Sequence, residues 1–172
     1  MQLRVLILSI IVVLLDQISK FAVRLQLQYG VPHKLIGNWL RLTYIENPGM
    51  AFGIQVGGQL FFTVFALFAT IVIFVYIVRA RDEKLNLRLA LALILGGAVG
   101  NLIDRFLYKK VVDFIDIGIG TARWPIFNIA DSAVTIGMIL LIAKVLFEKN
   151  PAPGNDTTEV APESGTSKLP MV

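Results

Sequence analysis

Apolar residues in this chain are gathered into four long blocks separated by more polar segments. Each block holds about 20 predominantly apolar residues, the length an α-helix needs to cross the hydrocarbon core of a bilayer. The blocks lie near 3–24, 59–78, 86–107 and 128–147. The pattern predicts an all-α membrane protein built as a four-transmembrane-helix bundle. A single membrane domain is expected over 1–150, followed by a disordered tail over 151–172 that is too polar to bury a core.

The first block also has features of a cleavable signal peptide, because Arg4 precedes the apolar run 5–15. No small-residue cleavage site follows that run. The helix pattern instead continues through polar residues from Asp16 to Lys20, which a helix carries at a membrane edge. We therefore interpret the block as a transmembrane helix.

The composition agrees with a membrane domain and removes several kinds of chemistry. Of the 172 residues, 56% are hydrophobic and only 16% are charged. Cysteine is absent and His33 is the only histidine, so a thiolate nucleophile and a zinc site of the usual kind are excluded, and we expect neither metal nor cofactor. The net charge of +4 comes from residues at span ends and in loops. Nucleic acid is therefore not an expected partner.

Four spans place both termini on one side of the membrane, and they bring particular span ends together on the other side. The ends of spans 1 and 3, the start of span 4 and the long connecting regions 25–58 and 108–127 share that face. The polar residues of these ends are Asp16, Gln17 and Lys20, then Asn101, Asp104 and Arg105, then Asn128, Asp131 and Ser132. Lys and Arg are balanced between the two sides, but the short basic link 79–88 favours cytoplasmic termini.

Two connecting segments have strand patterns, and one span has a pattern of small residues. The segments 38–55 and 111–119 alternate apolar and polar residues, and the first contains a Pro-Gly turn. They predict short strands at the membrane surface. Ala92, Gly96 and Gly100 recur every four residues, a spacing that lets helices approach closely in lipid.

The candidates for catalysis are carboxylates. An ionisable residue within a span is costly and is by default a functional hypothesis. Ser132 and Lys144 lie at opposite ends of one span and cannot form a Ser-Lys dyad, while a lone histidine excludes a histidine-based triad. Two aspartates that share one proton can activate water and polarise a peptide carbonyl, as in aspartic proteases. Asp113 with Asp131 is the best such pair.

Several of these residues also have structural interpretations. Asp104 and Arg105 can form ion pairs with each other or with neighbouring charges. Asn128 can be an N-cap, with Asp131 in the first turn of the helix, where the helix dipole favours negative charge. These alternatives stay open beside the catalytic interpretation.

The remaining acidic residues are expected to be structural or solvated. Asp16 and Lys20 have the i, i+4 spacing of an ion pair that snorkels to the membrane interface. Asp116 is expected to be solvated rather than catalytic.

Two other classes of function compete with a protease. One is a small proton-coupled membrane transporter in which Asp104, Asp113 and Asp131 relay protons. It lacks a polar path, because spans 2 and 4 are almost purely apolar toward the 79–88 link. The other is a non-enzymatic subunit of a membrane assembly.

Five segments together resemble the lipoprotein signal peptidases, or type II signal peptidases, over nearly all of 5–147. They are DQISK at 16–20, ENPGMAFG at 46–53, GGAVGNLIDR at 96–105, VVDFID at 111–116 and FNIADS at 127–132. Their order and spacing are those of the family. The resemblance implies a membrane aspartic endopeptidase with Asp113 and Asp131 as the catalytic dyad, near the outer face of the bacterial cytoplasmic membrane.

The resemblance further implies supporting residues, a substrate and surface elements. Residues at other signature positions, which resemble active-site supports or substrate contacts, are Asp16, Asn47, Gly49, Asn101, Asp104, Arg105, Asn128 and Ala130. The implied partners are membrane lipids and a prolipoprotein that carries diacylglycerol on a cysteine and is cleaved just before it by a monomeric enzyme. A small extracytoplasmic β-sheet and a mobile surface helix are implied within 25–58 and 108–126. Met50 departs from the small residues common there, and we expect it to alter pocket packing only.

Overall fold

A computed structural model describes residues 4–49, 58–80 and 82–147 of the chain. Its helices are α1 (Val5–Gln26), α2 (Gly58–Arg79), α3 (Leu85–Tyr108) and α4 (Ile129–Phe147). Its strands are β1 (Pro32–Ile36), β2 (Leu40–Asn47), β3 (Val111–Ile119) and β4 (Ala122–Arg123). Within these residues, four helices are long and apolar enough to cross a membrane. The four predicted spans are confirmed to within a few residues at each end.

Helix α3 is the centre of the bundle, since α1, α2 and α4 all pack against it. It is correspondingly the most buried helix. Of its apolar stretch, 61% is buried inside the protein, compared with 11% for α2. Most large apolar side chains of the other helices point outward. Such an exterior suits a lipid environment, where apolar surface need not be covered by protein.

The small-residue pattern on α3 allows a close approach of α1. A Cβ added at Gly96 would lie 2.8 Å from the Cβ of Val12, and one added at Gly100 would lie 2.7 Å from a carboxylate oxygen of Asp16. Both distances are shorter than a side chain tolerates. The prediction from Ala92, Gly96 and Gly100 is therefore confirmed for the contact between α1 and α3.

The strands form one antiparallel sheet in the order β1-β2-β3-β4. Val112 and Phe114 of β3 form a buried cluster with Val23, so the sheet is attached to the end of α1. Strands β2 and β3 fall within the predicted segments 38–55 and 111–119, whereas β1 and β4 were not predicted individually.

The implied surface helix is not found in the parts of the two connecting regions that the structure describes. From the end of α1 to residue 49, and between α3 and α4, the chain forms strands, turns and irregular segments. Residues 50–57, which include Met50, lie outside the described residues, as does the tail 151–172. The placement of the sheet outside the cytoplasm stays a prediction.

Candidate active site

Asp113 is the third residue of β3, and its side chain is almost completely buried. The register of the sheet pairs it with Ile45, so that Asn47, two residues further along β2, lies on the same face. The Asn47 amide donates to Asp113 Oδ2 at 3.1 Å. The Asn47 side-chain oxygen in turn accepts from the backbone N–H of Gly49 at 3.0 Å. Gly49 has a φ of 106°, a conformation that favours glycine, so the turn after β2 fixes the amide that binds Asp113.

Asp131 is held by the N-terminal cap of α4. The helix begins at Ile129, and the side-chain oxygen of the preceding Asn128 accepts from the Asp131 N–H at 2.9 Å. Asp131 Oδ2 accepts from the Asn128 N–H at 3.2 Å, which completes a reciprocal cap. The Asn128 amide also donates to Asp113 Oδ1 at 2.7 Å. The predicted cap is confirmed, and the same residue joins the two aspartates.

Asn101 on α3 supplies the third amide of the site. Its Nδ2 donates to Asp131 Oδ1 at 2.7 Å. Its oxygen accepts from Lys20 Nζ at 2.9 Å and from the Asn128 amide at 3.2 Å. Because both ends of the Asn101 amide are occupied, its donor stays directed at Asp131.

The environment of Asp113 favours its protonated form. Burial is the main cause, the negative charge of Asp131 adds to it, and together they raise the pKa of Asp113 to about 7. The amides of Asn47 and Asn128 and the charge of Lys20 act in the opposite direction without cancelling the effect. Near neutral pH, Asp113 therefore retains a proton that an exposed aspartate would have lost.

Both aspartates line a cavity of about 690 Å³. Its polar lining includes Asn47, Arg105, Ser132 and Thr135, and its apolar lining consists of Phe62, Trp124, Pro125, Ile126, Phe127 and Ile136, with Gly49 at the edge. A cavity with apolar walls and a few convergent polar groups is the usual form of a binding site for an organic ligand. Of the predicted site residues, Asp113, Asp131, Asn47, Gly49 and Arg105 line it directly.

Asp16 and Asp104 belong to a separate cluster around Lys20, next to the cavity. Lys20 Nζ lies 2.8 Å from Asp16 and 3.1 Å from Asp104, and all three side chains are buried. The predicted ion pair of Asp16 and Lys20 is present, but the prediction that it snorkels to the interface is wrong. The other oxygen of Asp16 accepts from the Ala130 N–H at 2.9 Å, and the Asp104 oxygen that faces Lys20 also accepts from the Val112 N–H at 3.1 Å. The predicted pairing of Asp104 with a neighbouring charge is present, with Lys20 as its partner.

The prediction that Asp116 is solvated is also wrong, because its side chain is buried. It lies three residues after Asp113 in β3, so strand alternation directs it to the opposite face of the sheet. There it accepts from Thr43 at 2.9 Å and pairs with the Arg123 guanidinium at 2.6 Å. The alternating pattern of 111–119 does not reveal these partners, which come from β2 and β4.

Lys20 and the apolar lining of the cavity at 124–127 were not among the residues predicted for the site. Lys20 belongs to the DQISK segment, which was the available signal for it. The apolar run 124–126 lies directly before FNIADS, whose first residue is Phe127. Among the residues that the structure describes, no group of three or more His, Asp or Glu is placed to hold a metal ion. Metal-free chemistry stays a prediction.

A family model described as signal peptidase (SPase) II matches residues 8–147. The chain belongs to the signal peptidase II family. A lipoprotein signal peptidase of Polynucleobacter necessarius subsp. necessarius is 47% identical over 146 residues, which are 81% of this chain and 87% of that protein. The lipoprotein signal peptidase of Syntrophus aciditrophicus is 40% identical over 141 residues, 79% of this chain and 88% of the relative.

Two solved structures resemble this chain in fold. Two structures described as a bacterial membrane enzyme each have a TM-score of 0.76 and 36% sequence identity to this chain. The match covers 83% of this chain and 87% of the first structure, and 84% and 94% for the second. The similarities favour a peptidase and give the transporter interpretation no support.

Proposed function

We propose that this chain is a membrane aspartic endopeptidase that removes signal peptides from bacterial prolipoproteins. Membership of the signal peptidase II family and relatives named lipoprotein signal peptidase support the reaction. The observation that carries the catalytic type is the double role of Asn128. Its amide binds Asp113 at 2.7 Å while its oxygen caps the N–H of Asp131 at 2.9 Å, so two carboxylates face one cavity.

In the proposed reaction, the dyad carries one proton. The unprotonated carboxylate, assigned to Asp131, removes a proton from a water molecule as the water oxygen bonds to the peptide carbonyl carbon. Asp113 donates its proton to the carbonyl oxygen, which gives a neutral tetrahedral diol. The C–N bond then breaks, the amine of the cysteine takes a proton from Asp131, and the diol returns a proton to Asp113. The products are a new carboxyl end on the signal peptide and a free amine on the cysteine.

The proposed substrate carries diacylglycerol on the cysteine, and cleavage falls just before that residue. The apolar wall of the cavity suits such a substrate because lipid and signal helix both remain in the bilayer. Arg105, beside the dyad in the cavity, is assigned to substrate contact. We place the termini in the cytoplasm and the active site near the outer face of the cytoplasmic membrane. One chain supplies both aspartates and their amides, which is consistent with a monomer.

The test uses purified protein and a synthetic prolipoprotein peptide with a diacylglyceryl cysteine, followed by mass spectrometry of the products. The matched control is the same peptide with an unmodified cysteine. We expect one cut, directly before the modified cysteine, and little cleavage of the control. No cleavage of either peptide would overturn the proposed function. Equal cleavage of both would overturn the proposal that the enzyme requires diacylglycerol on the cysteine.

A further inference from the structure

Part of the apolar lining of the cavity is the irregular segment Trp124–Phe127. Separate contacts hold the two ends of this segment. At the downstream end, Phe127 pairs with Ile115 through backbone hydrogen bonds of 3.1 and 2.7 Å. Asn128, which binds both aspartates, follows immediately. At the upstream end, the Trp124 N–H donates to the backbone oxygen of Ile117 at 2.8 Å, and the segment continues from Arg123, the last residue of β4. We call Trp124–Phe127 the cavity wall.

Arg123 uses its guanidinium to join three parts of the sheet region. Its Nε and Nη2 donate to the Asp116 carboxylate at 2.7 and 2.6 Å, and Nη2 also reaches the Asp116 backbone oxygen at 2.8 Å. Its Nη1 donates to the Asn38 backbone oxygen at 2.6 Å. Thr43 donates to the second oxygen of Asp116 at 2.9 Å. A planar group with several donors fits this arrangement, and an ammonium group does not.

We propose that Asp116 and Arg123 form a clasp that positions the cavity wall and so sets how tightly the enzyme binds its substrate. The inference rests on the proposed function. Both are positioning residues, because neither lines the cavity. The wall, which begins directly after Arg123, carries their effect to the substrate.

The clasp is separate from the groups that hold the dyad. Asp113 is bound by Asn47 and Asn128 on the opposite face of β3 from Asp116. The Asn128 cap on α4 is formed with Asp131 and does not involve Arg123. Opening the clasp therefore moves the wall and leaves the dyad with its amide donors, which predicts a change in KM with kcat retained.

The kinetic test compares Arg123→Ala with wild type on the diacylglyceryl peptide. Because uniform binding is lost and the chemical step is kept, KM should rise about tenfold and kcat should stay within about threefold. Arg123→Lys should give a smaller rise in KM, since it keeps the positive charge but loses the planar set of guanidinium donors. Lys110→Ala is the matched control, because it breaks an ion pair of 3.1 Å with Glu46 on the same sheet. It should leave KM unchanged.

A second measurement follows the wall without needing activity. The chain has two tryptophans, so Trp39→Phe leaves Trp124 as the only one. In that background, Arg123→Ala should lower the fluorescence anisotropy of Trp124, and Lys110→Ala should not. If Arg123→Ala does not insert, Arg123→Lys carries both measurements with smaller changes in the same directions.

The outcomes separate this inference from the proposed function. Cleavage by wild type with an unchanged KM in the Arg123 variants would overturn the clasp, as would a loss confined to kcat or an unchanged anisotropy. If wild type cleaves nothing, the proposed function fails, while the anisotropy still decides whether Arg123 holds the wall.

Discussion

Two pairs of aspartates lie side by side in this protein, and they differ in what binds them. Asp16 and Asp104 are paired with the ammonium group of Lys20 at 2.8 and 3.1 Å. Asp113 and Asp131 are bound by the side-chain amides of asparagines. An ammonium group compensates a buried carboxylate and ties helices together, whereas neutral amides orient a carboxylate and leave it able to exchange a proton. The type of partner therefore separates the structural pair from the candidate dyad.

Asn101 connects the two pairs. Its oxygen accepts from Lys20 at 2.9 Å and its nitrogen donates to Asp131 at 2.7 Å. The charged cluster therefore also sets the orientation of an amide in the dyad. We therefore expect substitutions in the dyad to abolish peptide cleavage while the protein still folds. Substitutions in the Lys20 cluster should instead lower the stability of the fold.

The largest expected effect is on catalysis by the dyad. Asp113→Asn and Asp131→Asn should each insert and fold but lose about 10³-fold or more in kcat/KM, because an amide can neither share the proton nor activate water. Product formation from the diacylglyceryl peptide measures this. Asp82→Asn, at an exposed position in the link between α2 and α3, is the control and should retain activity. Near-normal turnover by either dyad variant would refute the assignment.

A large effect on stability is expected at Lys20. Lys20→Met removes the ammonium group that contacts both buried carboxylates, which should lower the free energy of unfolding by about 3–5 kcal/mol. Arg24→Met is the comparison, since Arg24 is partly exposed and lies 3.7 Å from Asp104; its cost should be about 1 kcal/mol or less. Denaturant titration in detergent gives both values. Equal stability of Lys20→Met and wild type would show that the cluster is not structural.

The smallest expected effect is that of chelators. The chain has no cysteine and one histidine, and both candidate catalytic groups are carboxylates, so dialysis against EDTA should leave cleavage of the diacylglyceryl peptide unchanged. Loss of activity that a divalent ion restores would contradict a metal-free dyad.

The sequence predicted the bundle and the site for identifiable physical reasons. Apolar blocks of membrane length located the helices, and alternation of spans brought Asn101, Asp113 and Asn128 to one face. Asn128 was assigned either a cap or an active-site role, and the structure gives it the cap together with a hydrogen bond to Asp113. These features depend on local pattern and chain direction.

What the sequence did not reveal depends on partners distant in the chain. An i, i+4 pair near a helix end has the same pattern whether it snorkels or is buried, and Lys20 meets Asn101 across 81 residues. Strand β1 (Pro32–Ile36) is exposed throughout, so it carries no alternation to detect. The contact of α3 with α4 uses Gly97, where an added Cβ would overlap the backbone carbonyl of Ala130. That glycine lies outside the four-residue spacing that was recognised.

The most direct test of a dyad that shares one proton is the pH dependence of kcat/KM from roughly pH 4 to pH 10. Burial and the negative charge of Asp131 raise the pKa of Asp113 from its usual value of 3.8 to about 7. Asp113 therefore keeps its proton below about pH 7 and loses it above. Activity should fall through an alkaline limb near neutral pH, while the protein remains folded. Activity that stays level to about pH 10 would contradict the shared proton, because an aspartate would then be several units above its reference pKa.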